Sequence, residues 1–215
     1  MTLNPQIYLV TETIKHRSIE LRNSYLNNVK SMAYGNPARE NLGCGNFAHA
    51  IAASDDKEKM RQKNTKAPNI AIVTAYNDML SAHQPYRTYP EKIKSAINNA
   101  GGTAQVAGGV PAMCDGITQG QLGMELSLFS RDTIAKATAI ALSHQMFDGA
   151  IMLGVCDKIV PGLLIGALQF GHLPTVFIPA GPMPTGISNS QKSDTRKKFA
   201  NGEVDRSALI SSEQA

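Results

Sequence analysis

Two short tripeptides carry most of the chemistry in this chain, Cys156-Asp157-Lys158 and Cys114-Asp115-Gly116. The first follows Ala150-Ile151-Met152-Leu153-Gly154-Val155, an uncharged apolar run of strand length, and precedes Pro161, which suits the first turn of a helix. A thiol, a carboxylate and an amine therefore stand at the tip of a strand–loop–helix unit. In open parallel sheets, ligands collect outside the carboxyl ends of the strands. A thiolate there binds soft or borderline metals and iron–sulfur clusters, whereas adjacent carboxylates suit magnesium or manganese. Each group also has a plainer reading: Cys156 as core filling beside a surface ion pair, Asp115 as the first half of an Asp-Gly turn, Lys158 as an exposed amine. His83, within Ser81-Ala82-His83-Gln84-Pro85, reads first as a loop histidine with a structural hydrogen bond and second as a substrate contact. The other four histidines show no ligand spacing. The glycine loop Gly116 to Gly123 lacks a phosphate-loop lysine and does not match the dinucleotide fingerprint, and there is no Cys-x-x-Cys pair.

The elements that must position these groups form an alternating pattern from Asn69 onward. Strands are predicted at Ile70 to Ala75, Thr103 to Ala107, Ala150 to Val155 and Thr175 to Ile178. Helices are predicted at Tyr89 to Ala100, from an N-cap at Ser130 through Phe147, and from Pro161 to Phe170. Upstream, Pro5 to Met32 reads as helix, Asn41 to Asn46 as a turn, Ala48 to Ala53 as a short helix and Asp55 to Lys66 as an exposed connection. Pro179 to Gly186, with its prolines and glycines, reads as a rigid loop. The fold class expected is α/β, a largely parallel sheet with helices on both faces in three layers, preceded by an N-terminal helical segment over residues 1–66. Each predicted strand ends in a loop rich in polar or glycine residues: Tyr76-Asn77-Asp78, Cys114-Asp115-Gly116, Cys156-Asp157-Lys158, and Gly181 to Gly186. Strand ends of one parallel sheet share one face, so these loops are expected to converge on a single site.

Bulk properties narrow the function. With 215 residues, 42% of them hydrophobic, the chain can bury one sizeable core. The formal charge of +4 and pI near 9.0 come partly from short clusters such as Lys57 to Lys63 and Arg196-Lys197-Lys198, which read as solvated faces. There is no Trp, no basic stripe interleaved with aromatics and no zinc-finger or RNA-binding motif, so nucleic acid is set aside in favour of a small anionic substrate. No apolar run approaches a membrane span and the N-terminus lacks the layout of a signal peptide, so a cytoplasmic location is expected. Three widely separated cysteines, Cys44, Cys114 and Cys156, argue against disulfides and for metal or catalytic use.

Three stretches together, Val110 to Gly120, Gly154 to Gly162 and Pro179 to Gly186, resemble the dihydroxyacid and 6-phosphogluconate dehydratase family, above all in the Cys-Asp-Lys-x-x-Pro-Gly and Asp-Gly-Ile motifs. The resemblance covers essentially the whole chain, and the wording of Thr74 to Tyr86 and of Asn41 to Asn46 lies nearer the phosphogluconate branch. It implies that Cys156 ligates an iron–sulfur cluster. In the dihydroxyacid branch, residues matching Asp115, Asp157 and Lys158 bind magnesium, the lysine as a carbamate; the resemblance leaves open whether the phosphogluconate branch keeps that site. Lys158 and Asp115 are thereby the candidate catalytic residues. Some relatives place a cluster cysteine after the first strand; here the matching Ser81-Ala82-His83 has no thiol, which favours a four-iron (4Fe-4S) cluster over a two-iron one. Cys114 replaces an acidic residue common in the dihydroxyacid branch and is not chosen as a ligand. Family members are longer, so the α/β domain of residues 67–215 is expected to be truncated before its end, with a further cluster cysteine, the catalytic base and phosphate-binding residues beyond residue 215. The implied activity is dehydration of 6-phospho-D-gluconate to 2-dehydro-3-deoxy-6-phosphogluconate in the Entner-Doudoroff pathway, by a homodimer when full length. The alternatives are dehydration of a dihydroxyacid or unphosphorylated sugar acid by the same machinery, or an inactive fragment serving only as a folding or interaction module.

Overall fold

Alternate residues of two strands sort onto two different cores, and this alternation organises the molecule. In the computed structural model, which describes residues 4–33, 37–181 and 185–215, β1 (Asn69–Thr74) sends Ala71 and Val73 to one face of the sheet, and β3 (Gly149–Leu153) sends Ala150 and Met152 to the same face. Their neighbours Ile72 and Leu153 belong to a second cluster on the other face. A strand buried on both sides reads as a continuous apolar run, as these two do. β2 (Thr103–Gly109) and β4 (Thr175–Ile178) complete a parallel sheet of order β2-β1-β3-β4. Helix α4 (Tyr89–Asn99) covers the second face through Tyr89, Ile93 and Ile97. Helices α6 (Leu126–Leu142) and α7 (Ile159–Gln169) cover the first through Ile134, Ala141, Leu142, Ile159, Leu163 and Ala167. The three-layer α/β architecture expected from the pattern is the one observed.

The sheet order sets where a ligand can go. From β1 the chain passes through α4 to β2 on one side, then returns past β1 to β3 on the other, so the ends of β1 and β3 lie at the switch point where a parallel sheet opens a crevice. A bulge in β2, where Ile72 pairs with Val106 but Val73 with Gly108, bends the end of that strand just before the loop to Cys114.

Two glycines of α7 explain how α6 and α7 pack so closely. A Cβ on Gly162 would stand 2.8 Å from the Arg131 carbonyl oxygen, and one on Gly166 would stand 2.5 Å from Thr138 Cβ and 2.7 Å from the Ala135 carbonyl oxygen. Gly166→Val must therefore push the two helices apart, at an expected cost of about 3 kcal/mol. Gly45, in α2 (Cys44–Ile51), has nothing within 4 Å of its Cβ position, so Gly45→Ala is expected to raise stability by a few tenths to about 1 kcal/mol through helix propensity. Urea unfolding of the two variants checks both signs.

The predicted boundaries are corrected in several places. α1 runs from Pro5 to Met32 as expected, capped by the Asn4 side chain, with no residue buried; Tyr25 donates a hydrogen bond to the Leu168 carbonyl at 2.9 Å. The turn expected over Asn41 to Asn46 ends early, because Gly43 caps α2 and Cys44 to Asn46 form its first turn. The connection expected over Asp55 to Lys66 contains helix α3 (Asp56–Lys63), whose N-terminus is capped by the Asp55 carboxylate on the Glu58 amide at 2.8 Å. Ser130 is not an N-cap: α6 starts at Leu126, a one-turn α5 (Asp115–Thr118) precedes it, and the Ser130 hydroxyl donates to the Ser127 carbonyl within the helix. α6 ends at Leu142 rather than Phe147, and Gln145 turns the chain with a φ of 56°. Part of the loop predicted over Pro179 to Gly186, residues 182–184, lies outside the described residues.

The structure divides at residue 180 into two units. The second, residues 181–215, holds α8 (Asn189–Ala200), opened by a capping box between Ser188 and Gln191, and α9 (Arg206–Glu213). Arg196 joins these helices through two hydrogen bonds to the Glu213 carboxylate, at 2.5 and 2.8 Å.

Candidate active site at the strand ends

Cys156 adopts a φ of 77°, in the left-handed region that few residues other than glycine enter. The chain reaches it through Gly154, where a Cβ would fall 2.5 Å from Leu163 Cδ1, so β3 ends hard against α7 and must turn sharply. Holding a non-glycine residue there costs of order 1–3 kcal/mol, and such positions gather at ligand sites. The turn is braced from the loop after β1. His83 is fully buried, and its Nε2–H donates to the Val155 carbonyl at 3.3 Å. Tyr86 donates to the Ile178 carbonyl at 3.0 Å and Tyr89 to the Ala180 carbonyl at 3.2 Å, so three side chains satisfy carbonyls that the ends of β3 and β4 leave unpaired.

The structure brings three of the sequence-predicted residues into one ion-pair cluster. Lys158 Nζ donates to Asp115 Oδ2 and lies 3.5 Å from Asp157 Oδ2. The other Asp115 oxygen accepts a hydrogen bond from the hydroxyl of Ser127, which is 1% exposed. The Lys158 ammonium, and then the Ser127 hydroxyl, hold the Asp115 carboxyl below the usual carboxylate range, while Asp115 holds Lys158 above the usual amine range. Cys156 is solvent-exposed as a residue, yet burial of its surroundings pushes its thiol up; the carboxylates of Asp157 and Asp115 act in the same direction and Lys158 against it. At neutral pH it is thus a thiol that must lose its proton to bind a metal. Tyr86, beneath this cluster, is pushed up to about 12, first by burial.

The loop after β1 contributes the brace through His83. Asp78 accepts from the Tyr76 hydroxyl at 2.5 Å and Asn77 accepts from the Met79 amide, so Tyr76-Asn77-Asp78 is closed on itself. The structural reading of His83 is the one the geometry shows. Ser127 was missed: its distance in sequence from Asp115 carries no signal, and only the packing of α6 against α5 supplies one. Among the described residues no three His, Cys, Asp or Glu side chains are gathered closely enough to hold a metal ion. No helix among them is long and apolar enough to cross a membrane.

Burial pulls the pKa of His83 below the ordinary 6.5, and does the same to His172. Below pH 6.5 the unfolded chain therefore takes up protons that the folded chain refuses, and stability falls as pH drops. The melting temperature is expected to decline between about pH 6.5 and pH 5. His172→Gln should flatten that slope while leaving the pH 8 value nearly unchanged.

The sequence that carries this arrangement has counterparts among known proteins. The profile of the family described as "Dihydroxy-acid/6-phosphogluconate dehydratase N-terminal" matches residues 67–215. The chain belongs to this family. It is 58% identical over 213 residues to a phosphogluconate dehydratase of Rhizobium meliloti, covering 99% of this chain and 35% of that protein, and 57% identical over the same length to the Pseudomonas aeruginosa phosphogluconate dehydratase. A dihydroxy-acid dehydratase of Lachnospira eligens is 41% identical over 135 residues, 62% of this chain and 24% of that protein. The chain thus spans about a third of the length of the phosphogluconate dehydratases it matches.

Proposed function

We propose that this chain supplies the thiolate and carboxylate side of the active site of a cytoplasmic hydro-lyase that converts 6-phospho-D-gluconate to 2-dehydro-3-deoxy-6-phospho-D-gluconate and water. The observation that carries the reading is the Lys158 ammonium held between Asp115 and Asp157, two residues beyond an exposed cysteine in a strained turn. The proton leaves the carbon alpha to the carboxylate, hydroxide leaves the next carbon, and the resulting enol tautomerises to the 2-keto acid. Both departures build negative charge, which fixed positive groups stabilise. A 4Fe-4S cluster, when bound, supplies a Lewis acid for the leaving hydroxyl without redox change.

The donor chemistry fits both groups. Cys156 offers a sulfur that no disulfide consumes and that becomes a thiolate on binding a metal. Asp115 and Asp157 flank a place that a cation already fills, namely the ammonium of Lys158. As an ammonium, Lys158 fixes positive charge beside an anionic substrate; as a carbamate it becomes a third oxygen donor, and the set then suits magnesium. Ser127 orients Asp115 in either state, and His83 holds the turn that presents Cys156.

The test compares this chain with a chimera in which it replaces the matching third of the Rhizobium meliloti enzyme, both purified anaerobically. Iron, sulfide and 2-keto acid formation from 6-phosphogluconate are measured, with an unphosphorylated dihydroxy acid alongside. Cluster and activity on the phosphorylated acid in the chimera support the reading; an apo, inactive chimera that is folded overturns it. Preference for the unphosphorylated acid moves the assignment to the dihydroxyacid branch.

A further inference from the structure

We propose that Cys114 is a second soft-metal ligand, working with Cys156 across the end of β1, so that this chain contributes two thiolates to the site. For the identity of the group bound, an iron–sulfur cluster, the inference rests on the function proposed above.

Cys114 occupies the N-cap of α5, at the carboxyl end of β2, and its own side chain makes no capping bond. Cys156 follows the carboxyl end of β3. These strands are second neighbours with β1 between them, which sets them roughly 10 Å apart by ordinary strand spacing. The Lys158–Asp115 pair spans that gap and ties the two loops together; Cys114 directly precedes Asp115, and Cys156 lies two residues before Lys158.

Neither sulfur is otherwise committed. Both cysteines are free, Cys114 is half-buried and Cys156 exposed. Residue 116 is glycine, and a Cβ built there would meet the Cys114 sulfur at 3.5 Å, so the bare backbone leaves that side of the thiol uncovered. The loop after β1, which faces the same crevice, offers no thiol: it presents Ser81 and Ala82, and His83 is used to hold the Val155 carbonyl. Two soft donors stand beside a separate pair of hard carboxylates, which matches a soft or borderline metal next to a magnesium-type site.

The experiment titrates the full 215-residue chain with cadmium, following thiolate-to-metal charge transfer in the ultraviolet, in the parent, Cys44→Ser, Cys114→Ser and Cys156→Ser. Cys44→Ser should match the parent. Cys114→Ser and Cys156→Ser should each halve the charge-transfer intensity and weaken binding by more than about tenfold. Cys114→Ala, which should behave as Cys114→Ser, and the melting temperature of each variant separate ligation from misfolding. Reconstitution with ferrous iron and sulfide in the chimera then reads the cluster spectrum. A Cys114→Ser protein that binds cadmium as the parent does and keeps an unchanged cluster spectrum overturns the proposal while leaving the dehydratase reading intact. Cadmium held by both thiols, with no cluster in any form, upholds the two-thiolate site and overturns the iron–sulfur assignment.

Discussion

In the chimera, Lys158→Met is expected to lower 2-keto acid formation from 6-phosphogluconate by about 10²–10³-fold, the usual loss when a group that stabilises developing negative charge is removed. The reason lies in the cluster as built: Lys158 Nζ serves Asp115 and Asp157 at once, so its removal leaves two carboxylates facing each other with only Ser127 to hold one of them. Asp115 should then titrate higher, because its largest depressing influence is gone. Lys158→Arg separates two roles of the lysine. It retains the positive charge and can still pair with Asp115, but a guanidinium cannot become a carbamate. Substantial activity in Lys158→Arg means that the charge suffices; loss equal to that in Lys158→Met means that the amine itself is required, as magnesium binding through a carbamate demands. If Lys158→Met retains full activity, the ion-pair cluster has no part in the reaction.

Arg39→Met is expected to destabilise the chain by about 3–5 kcal/mol, a large fraction of the stability of an ordinary domain. Arg39 is 3% exposed and lies in a short 3-10 turn, Ala38–Asn41, ahead of the sheet. Its guanidinium donates to Asp148, to the Ala67 carbonyl at 2.6 Å and to the Thr65 carbonyl at 3.2 Å. Asp148 in turn accepts from the Asn69 amide at 2.7 Å, and Asn69 bonds to Thr103, Gln105 and the Met146 carbonyl. The network ties the segment before residue 67 to the amino-terminal ends of β1, β2 and β3. Methionine fills similar volume but strands a carboxylate and two carbonyls. The double variant Arg39→Met/Asp148→Asn should recover part of the loss, since it removes the unpaired charge, and a double-mutant cycle in urea measures the coupling. Destabilisation below about 1 kcal/mol for Arg39→Met would show that solvent replaces the guanidinium, against its burial.

The outcome of the elements follows how local each signal is. β4 is found with the predicted bounds, and α1 likewise, because apolar β-branched residues between turn residues, and a long stretch opened by Asn4-Pro5, need no distant partner to be read. α3 was missed because Asp-Lys-Glu-Lys-Met-Arg-Gln-Lys shows no apolar stripe. Its support comes from elsewhere: Arg61 donates to the Asn98 carbonyl at 2.7 Å, and Gln62 is fully buried. Ser130 reads as a helix start because serine favours that position, but Leu126, Leu128 and Phe129 already belong to α6. The Arg39 network carried no sequence signal, since a lone arginine ahead of a polar segment reads as solvated.

By itself the sequence determined the α/β class, the succession of strands, the tripeptides at the strand ends and membership of the dehydratase family, because period, turn chemistry and motif order are properties of neighbouring residues. Only the tertiary structure decided which of those residues meet. It joined Lys158 to Asp115 across 43 positions, put Ser127 behind that carboxylate, turned Cys156 into a left-handed conformation braced by His83, and paired Asp78 with the Tyr76 hydroxyl. The physical reason is the crossover from β2 to β3: parallel strands gather their carboxyl ends from distant parts of the chain, and sheet order, which no local pattern encodes, selects the loops that face one another.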